Sequence, residues 1–151
     1  YKYNGRSFMG RKLGDILFDR ISCECLDIDV IIPVPIHARR KKERGYNQSE
    51  LMAGRLSELS GIQADMKIIR RSVYTEPLRR MTPAERENAL VHAFTVNEYR
   101  RKNIDGRRVL LIDDIYTTGS TADACSRKLL EAGADKIFLL TLASGGNRKP
   151  V

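Results

Sequence analysis

Val109-Leu110-Leu111-Ile112 places four apolar residues in a row, and two carboxylates, Asp113 and Asp114, follow at once. An apolar run with no polar alternation marks a strand buried on both faces, the pattern found at the centre of a parallel sheet. The carboxylates stand where that strand emerges. Neighbouring carboxylates repel, so the pair is costly unless sugar hydroxyls or a divalent cation bind between or beside them. Ile115-Tyr116-Thr117-Thr118-Gly119-Ser120-Thr121 comes next. Backbone N–H groups of such a turn, its hydroxyls and the dipole of a following helix together make a phosphate cradle. A sugar diol beside a phosphate describes a ribose 5-phosphate.

The flanking sequence supplies the elements that such a strand needs. Phe8, Met9, Leu13, Ile16, Leu17 and Ile21 recur at helical spacing over residues 6–21. Asp29 to Val34 is a β-branched run closed by Pro33 and Pro35, which reads as a buried strand and then a loop. Arg39, Arg40, Lys41, Lys42 and Arg44 make that loop intensely basic, with Glu43 as the one acid. A second helix starts near Asn47, carries Leu51, Leu56 and Leu59, and stops at Gly61. Lys67 to Val73 is a weaker strand, and Thr82-Pro83-Ala84-Glu85 is a capping box that opens a helix. Ala93 to Val96 reads as a short strand, Asn103 to Gly106 as a turn, Thr121 to Ala132 as a helix ending at Gly133, and Ile137 to Leu142 as a buried strand.

Strands alternating with helices imply an α/β fold with a mainly parallel sheet and helices on both faces. Ligands bind beyond the carboxyl ends of strands in such sheets, so the segments after Val34 and after Ile112 are where chemistry belongs. The chain of 151 residues fits one domain, and its 42% hydrophobic and 30% charged residues argue against a disordered or fibrous chain. Residues 1–28 read as a helical lead-in, and residues 29–151 as a single compact unit.

Several classes are excluded. No apolar run approaches the roughly 20 residues needed to span a bilayer, and no signal-peptide core follows the N-terminus. Cys23 and Cys25 form a lone C-x-C and Cys125 stands far away, so three ordinary thiols and a reducing cytoplasm are expected. A Walker B strand also ends in Asp-Asp, but it requires a Gly-Lys-Ser or Gly-Lys-Thr loop that this chain lacks. Phospho-receiver domains carry paired acids at their first strand and have no Thr-Gly-Ser-Thr turn. The charge of +8, from 27 basic and 19 acidic residues, attracts anions without choosing among nucleic acid, lipid and phosphorylated small molecules.

The segment 109–121 resembles the phosphoribosyl pyrophosphate (PRPP) motif of type I phosphoribosyltransferases. Asp29-Val30-Ile31-Ile32-Pro33-Val34-Pro35-Ile36, then Arg44-Gly45-Tyr46-Asn47-Gln48, is similar to the ComF/GntX branch and its P-V-P-[LI] … R-G-[FY]-N-Q pattern. Thr75, Glu85-Arg86, Asn88 and Ala93-Phe94 fit the same branch, as does the lead-in Lys2-Tyr3-Asn4-Gly5. Two departures stand out. The four-cysteine zinc ribbon that ComF proteins usually carry before this lead-in is not within these 151 residues, and Leu78 occupies a position where the family tends to have Gln.

The resemblance implies the type I phosphoribosyltransferase fold and a set of roles. Asp113 and Asp114 would bind the ribose 2- and 3-hydroxyls of PRPP, and Thr117, Thr118, Gly119, Ser120 and Thr121 the 5-phosphate. Pyrophosphate, carrying Mg²⁺, would lie on Pro35, Ile36, His37 and Arg39, with no metal ligand direct from the protein. Arg79, Arg80 and Arg86 lie on a segment resembling a mobile lid, with Arg79 and Arg86 as the leading candidates to meet leaving-group charge. The implied activity is transfer of phosphoribosyl to a nitrogen acceptor with release of pyrophosphate. The alternative is a non-enzymatic binding module in DNA uptake, with single-stranded DNA or a helicase as partner, which the missing Gln amide and the charge of +8 favour.

The remaining residues have plainer readings. A loop His37 is ordinarily solvated, and His92 at a helix end suits the helix dipole as a cap. Arg100, Arg101, Lys102, Arg107 and Arg108 precede the central strand and read as surface charge or a nucleic-acid patch. The tyrosines do not interleave with basic residues in the sequence as a single-strand stacking platform would require.

Overall fold

Two strands with uninterrupted apolar sequence settle side by side and set the frame. In the computed structural model, which describes residues 4–74 and 81–145, β1 (Val30–Pro33) pairs in parallel with β4 (Arg108–Tyr116), Val30 opposite Val109 through Pro33 opposite Ile112. β5 (Lys136–Ser144) lies on the other side of β4, also parallel, in the order β1-β4-β5. Residues 63–65 extend the sheet beyond β1, through Ile31 N–H to the Gln63 carbonyl and Asp65 N–H to the Ile31 carbonyl, each at 2.9 Å.

Side-chain alternation along the strands divides the core in two. Ile31, Leu110 and Ile112 meet Leu17 of α1 (Asn4–Ser22) and Met52, Ala53 and Leu56 of α3 (Gln48–Ser60) on one face. Val30, Ile32, Val109 and Leu111 meet Leu90 of α4 (Pro83–Val91), Phe94, and Cys125 and Leu129 of α5 (Ser120–Glu131) on the other. Both faces being covered is why β1 and β4 carry no alternation with polar residues. The architecture is the expected α/β sheet with helices on both faces.

Several elements differ from their sequence reading, and β5, expected as a buried strand, buries none of its residues because it is the edge of the sheet. The basic segment expected as a loop is a short helix, α2 (Ala38–Arg44), with His37 Nδ1 accepting from the Arg39 amide at 3.2 Å and Gly45 closing it in the left-handed region. Arg, Lys and Glu are good helix formers, but α2 buries none of its residues, so no hydrophobic periodicity marks it. The weaker strands, β2 (Ile69–Arg71) and β3 (Phe94–Val96), pair with each other antiparallel, separate from the parallel sheet. β4 runs through Asp113 and Asp114 to Tyr116 instead of ending at Ile112, because β5 continues to pair beside it, Asp113 opposite Thr141.

α1 forms, but rotated from its apparent apolar face. Phe8, Met9 and Ile16 stay 60%, 60% and 57% exposed, while Leu17 is buried. The contact with α3 runs along Gly10 and Gly14, where a Cβ would stand 2.7 Å from Leu51 Cβ and 2.5 Å from Arg55 Cβ. Backbone-to-helix approach through these glycines, not the largest side chains, orients the helix.

Candidate functional site

The carboxyl ends of β1 and β4 open into a cleft of about 530 Å³, walled by Val34, Pro35 and Ile36 after β1 and by Asp113, Asp114 and Ile115 on β4. Thr121 from α5, Arg40, Glu43 and Arg44 from α2, and Arg71 and Tyr74 from β2 and the residues after it complete the wall. The β1 side is pinned: Val34 N–H donates to the Ile112 carbonyl at 2.8 Å. Asn47, buried, donates from Nδ2 to the Val34 carbonyl at 3.0 Å while its Oδ1 caps α3 by accepting from Ser49 N–H at 3.1 Å. Asn47, the fourth residue of the Arg-Gly-Tyr-Asn-Gln motif, thus locks the cleft wall to the following helix.

Asp113 is the electrostatic centre. Its side chain is 8% exposed, and burial first, then the neighbouring Asp114 charge, push its carboxyl up to about 7. Asp113 Oδ1 accepts from the Asp114 amide at 2.9 Å, and Asp114 Oδ1 accepts from the Ile115 amide at 2.8 Å. Among the described residues no lysine or arginine forms an ion pair with either carboxylate. Behind Asp113, burial and the Asp113 charge push the Cys125 thiol up, so it stays a neutral core group.

A niche of about 20 Å³ adjoins the cleft, sharing Asp113, Ile115 and Thr121 with it and lined also by Tyr116, Thr117, Gly119, Ser120 and Ala122. Gly119 holds φ at 83°, a conformation that glycine adopts without strain. It gives α5 no side-chain cap, which leaves first-turn N–H groups open at the niche. The Tyr116 ring lies against Gly119, its hydroxyl 2.6 Å from where a Cβ would be. Thr118 Oγ1 and Ser120 Oγ are 2.9 Å apart, and both also line a groove between α4 and α5.

The structure therefore brings Asp113, Asp114, Pro35, Ile36 and Thr121 to one cleft, with Thr117, Gly119 and Ser120 at the adjoining niche and Thr118 one layer away. His37 and Arg39 do not line the cleft: His37 caps α2 and meets the Tyr74 ring edge-on at 5.3 Å, and Arg39 pairs with Glu43 at 3.1 Å and lies over the same ring at 4.7 Å. Arg40 and Arg44 take the place expected of Arg39, because one helical turn carries their side chains to the cleft side of α2. Leu78, Arg79 and Arg80 lie outside the described residues, as do Thr75 and the side chain of Arg86. Arg71 and Tyr74 are cleft residues that the sequence did not reveal. Arg71 sits in a short strand with its guanidinium over Phe94 at 5.6 Å, and burial, then the Arg40 charge, lower its proton affinity.

Three of the basic residues around the start of β4 are engaged internally, while Lys102 and Arg107 are exposed. Arg100 Nη1 donates to both carboxylate oxygens of buried Asp65 at 2.9 Å, and Asn103 Nδ2 donates to the same group at 3.0 Å. Arg101 donates to the Ala132 carbonyl at 3.0 Å, and Arg108 to Asp29 at 2.9 Å and to Asp27. His92 stands at the C-cap of α4.

Comparison with known proteins fits this geometry. No family model matches the chain. It is 31% identical to competence protein F of Haemophilus influenzae over 148 residues, 95% of this chain and 64% of that protein. It is 33% identical to DNA utilization protein YhgH of Escherichia coli K12 over 106 residues, 70% of this chain and 45% of that protein. Identity to competence protein ComFC of Bacillus subtilis is 32% over 104 residues, 69% of this chain and 39% of that protein. The chain thus spans less than two thirds of the length of each of these relatives.

In structure it is similar to the glutamine PRPP amidotransferase of B. subtilis, with a TM-score of 0.59, 21% identity, and coverage of 88% of this chain and 26% of that one. The purine phosphoribosyltransferase of Pyrococcus horikoshii gives 0.53 and 20%, covering 88% of this chain and 70% of that one. Those likenesses establish the type I phosphoribosyltransferase fold, and in sequence the chain is similar to competence protein F, YhgH and ComFC.

Proposed function

We infer that the cleft binds PRPP with Mg²⁺ and supports transfer of its phosphoribosyl group to a nitrogen acceptor. The observation that carries this reading is Asp113: a buried carboxyl without a cationic partner among the described residues, beside a second carboxylate, at the mouth of a cleft ringed by arginines. Sugar hydroxyls donating to Asp113 and Asp114 would relieve the desolvation that raises the Asp113 pKa. The 5-phosphate would lie on the open N–H groups of residues 117–121. The pyrophosphate would face Pro35, Ile36, Arg40, Arg44 and Arg71, with His37 and Arg39 holding the rim.

Mg²⁺ would enter on the pyrophosphate of PRPP with no ligand direct from the protein, and the nearby carboxylates at the cleft mouth fit a divalent cation beside them. Bound there, Mg²⁺ would offset charge on the departing pyrophosphate. The rest of the chemistry falls to this chain: Asp113 and Asp114 orient the sugar, and their charge suits an oxocarbenium-like transition state. Arg40, Arg44 and Arg71 meet the charge that grows on the leaving group. Arg79 and Arg86 are the candidates to close over it.

Calorimetric titration of PRPP with Mg²⁺ into the wild type and into Asp113→Asn/Asp114→Asn tests the reading. Saturable binding that the double variant loses supports it, and a wild type without saturable binding overturns it. A second reading, a binding module for DNA uptake with a single-stranded DNA or helicase partner, draws on the names of the relatives, competence and DNA utilization. PRPP binding without pyrophosphate release in the presence of amine or base acceptors would favour it.

A further inference from the structure

We propose that the outer edge of β5 is a slot for one extended segment of a partner chain, apolar along its middle and acidic at the end beside Lys136. The inference stands apart from the PRPP reading and goes beyond it. β5 closes one side of the parallel sheet, and among the described residues no strand pairs with its outer edge. Asp29 N–H donates to the Arg108 carbonyl and Val34 N–H to the Ile112 carbonyl, so even-numbered residues of β4 turn to β1. With Ile112 beside Leu140 in a parallel ladder, Ile137, Leu139, Thr141 and Ala143 then point their N–H and C=O groups outward. Sheet edges are ordinarily blunted by short strands, prolines or charges. β5 runs nine residues without a proline, and its one charge, Lys136, stands at its start.

The slot has a roof. α3 packs on β1 and β4, while α1 packs beside α3 and touches β5. With Gly10 and Gly14 against α3, helical spacing turns Met9, Lys12 and Ile16 the other way, out over the edge of the sheet. Met9 and Ile16 are exposed there, which accounts for the apolar residues that α1 leaves outside the core. On the opposite face Leu139 is exposed, as is Leu130 of α5, which stands outside the groove between α4 and α5. A strand added at about 4.8 Å from β5 would set alternate side chains against these two apolar walls. The overhang leaves room for one strand and excludes a second copy joined edge to edge. Two α1 helices need about 8–10 Å between axes and would meet above strands only about 4.8 Å apart. Lys12 and Lys136, over the Phe8 and Phe138 rings at 4.7 and 4.9 Å, form no ion pair among the described residues, so carboxylates on the incoming segment complement the slot.

Selection of a random peptide library displayed on phage against the wild-type protein tests this, with enriched peptides synthesised and their affinity measured by fluorescence anisotropy. Enriched sequences should share an unbroken run of apolar and β-branched residues with Asp or Glu at one end. Their binding should slow hydrogen exchange at the Leu139 and Thr141 amides. Leu139→Pro removes an outward N–H that the sheet itself does not use, and Ile16→Glu puts a charge into the roof. Each should lower peptide affinity about tenfold or more and keep the folded circular dichroism spectrum. Val91→Glu, in the groove between α4 and α5, should leave peptide affinity unchanged.

No enriched family of peptides, or a family without the apolar run, overturns the proposal. So does peptide binding that Ile16→Glu leaves intact, or binding lost in Val91→Glu instead. A wild type that self-associates and that Ile16→Glu makes monomeric assigns the edge to a second copy and overturns it as well.

Discussion

Asp113→Asn should make the protein more stable at neutral pH and unable to hold its ligand. The folded carboxyl titrates near 7 against 3.8 in an ordinary environment, because burial and Asp114 disfavour its charge. The folded state therefore binds this proton more tightly than the unfolded chain does. The resulting penalty is absent below about pH 3.8, grows as pH rises toward 7, and is constant above that. At 1.36 kcal/mol per pH unit it reaches at most about 4 kcal/mol above neutrality and about 0.6 kcal/mol at pH 4. Water entering the open cleft reduces the upper figure, so a gain of about 2 kcal/mol is expected for asparagine, which keeps an oxygen to accept from the Asp114 amide.

For a chain of this length such a gain raises Tm by about 4–8 °C. Thermal unfolding followed by circular dichroism at pH 4 and pH 7.5, for wild type and variant, reads it directly. A variant less stable than wild type at pH 7.5, or one with the same gain at both pH values, refutes the assignment of Asp113 as a carboxylate held at a cost for binding.

Other perturbations separate scaffold from site. Asp65→Ala leaves Arg100 and Asn103 without their shared acceptor. It should cost about 3 kcal/mol by urea denaturation and leave the cleft's ligand affinity at the melting-free temperature unchanged. Burial opposes the Asp65 charge, but hydrogen bonds from Asn103, the Lys67 amide and Arg100 outweigh it and hold its pKa down. That contribution is present above the ordinary carboxylate range and lost on acidification. Gly119→Ala forces a Cβ against the Tyr116 hydroxyl at positive φ, and should cost about 1–2 kcal/mol in unfolding and more than tenfold in PRPP affinity. Arg40→Ala should weaken binding of PRPP far more than that of ribose 5-phosphate, since only PRPP places a pyrophosphate against α2.

The sheet and its centre were legible because burial on both faces writes itself into β1 and β4 as unbroken apolar runs. The carboxylate pair was legible for a related reason: charge at the end of such a run has no structural use. α2 was missed because a helix that buries none of its residues carries no apolar periodicity, so which of its arginines line the cleft could not be read. Arg71 and Tyr74 lie in and after a three-residue strand whose role comes entirely from tertiary placement. The orientation of α1 was obscured by Phe8 and Met9, since glycines leave no hydrophobic signal yet decide which face comes closest to α3.

The central claim is that one ligand spans the niche at residues 117–121 and the arginine wall of the cleft. ³¹P NMR of PRPP with Mg²⁺ tests it most directly, because the 5-phosphate and the pyrophosphate give separate resonances. Substoichiometric wild-type protein should broaden both sets, and Asp113→Asn/Asp114→Asn should restore narrow lines. Resonances that stay narrow with the wild type, or broadening of the pyrophosphate alone, would contradict the account.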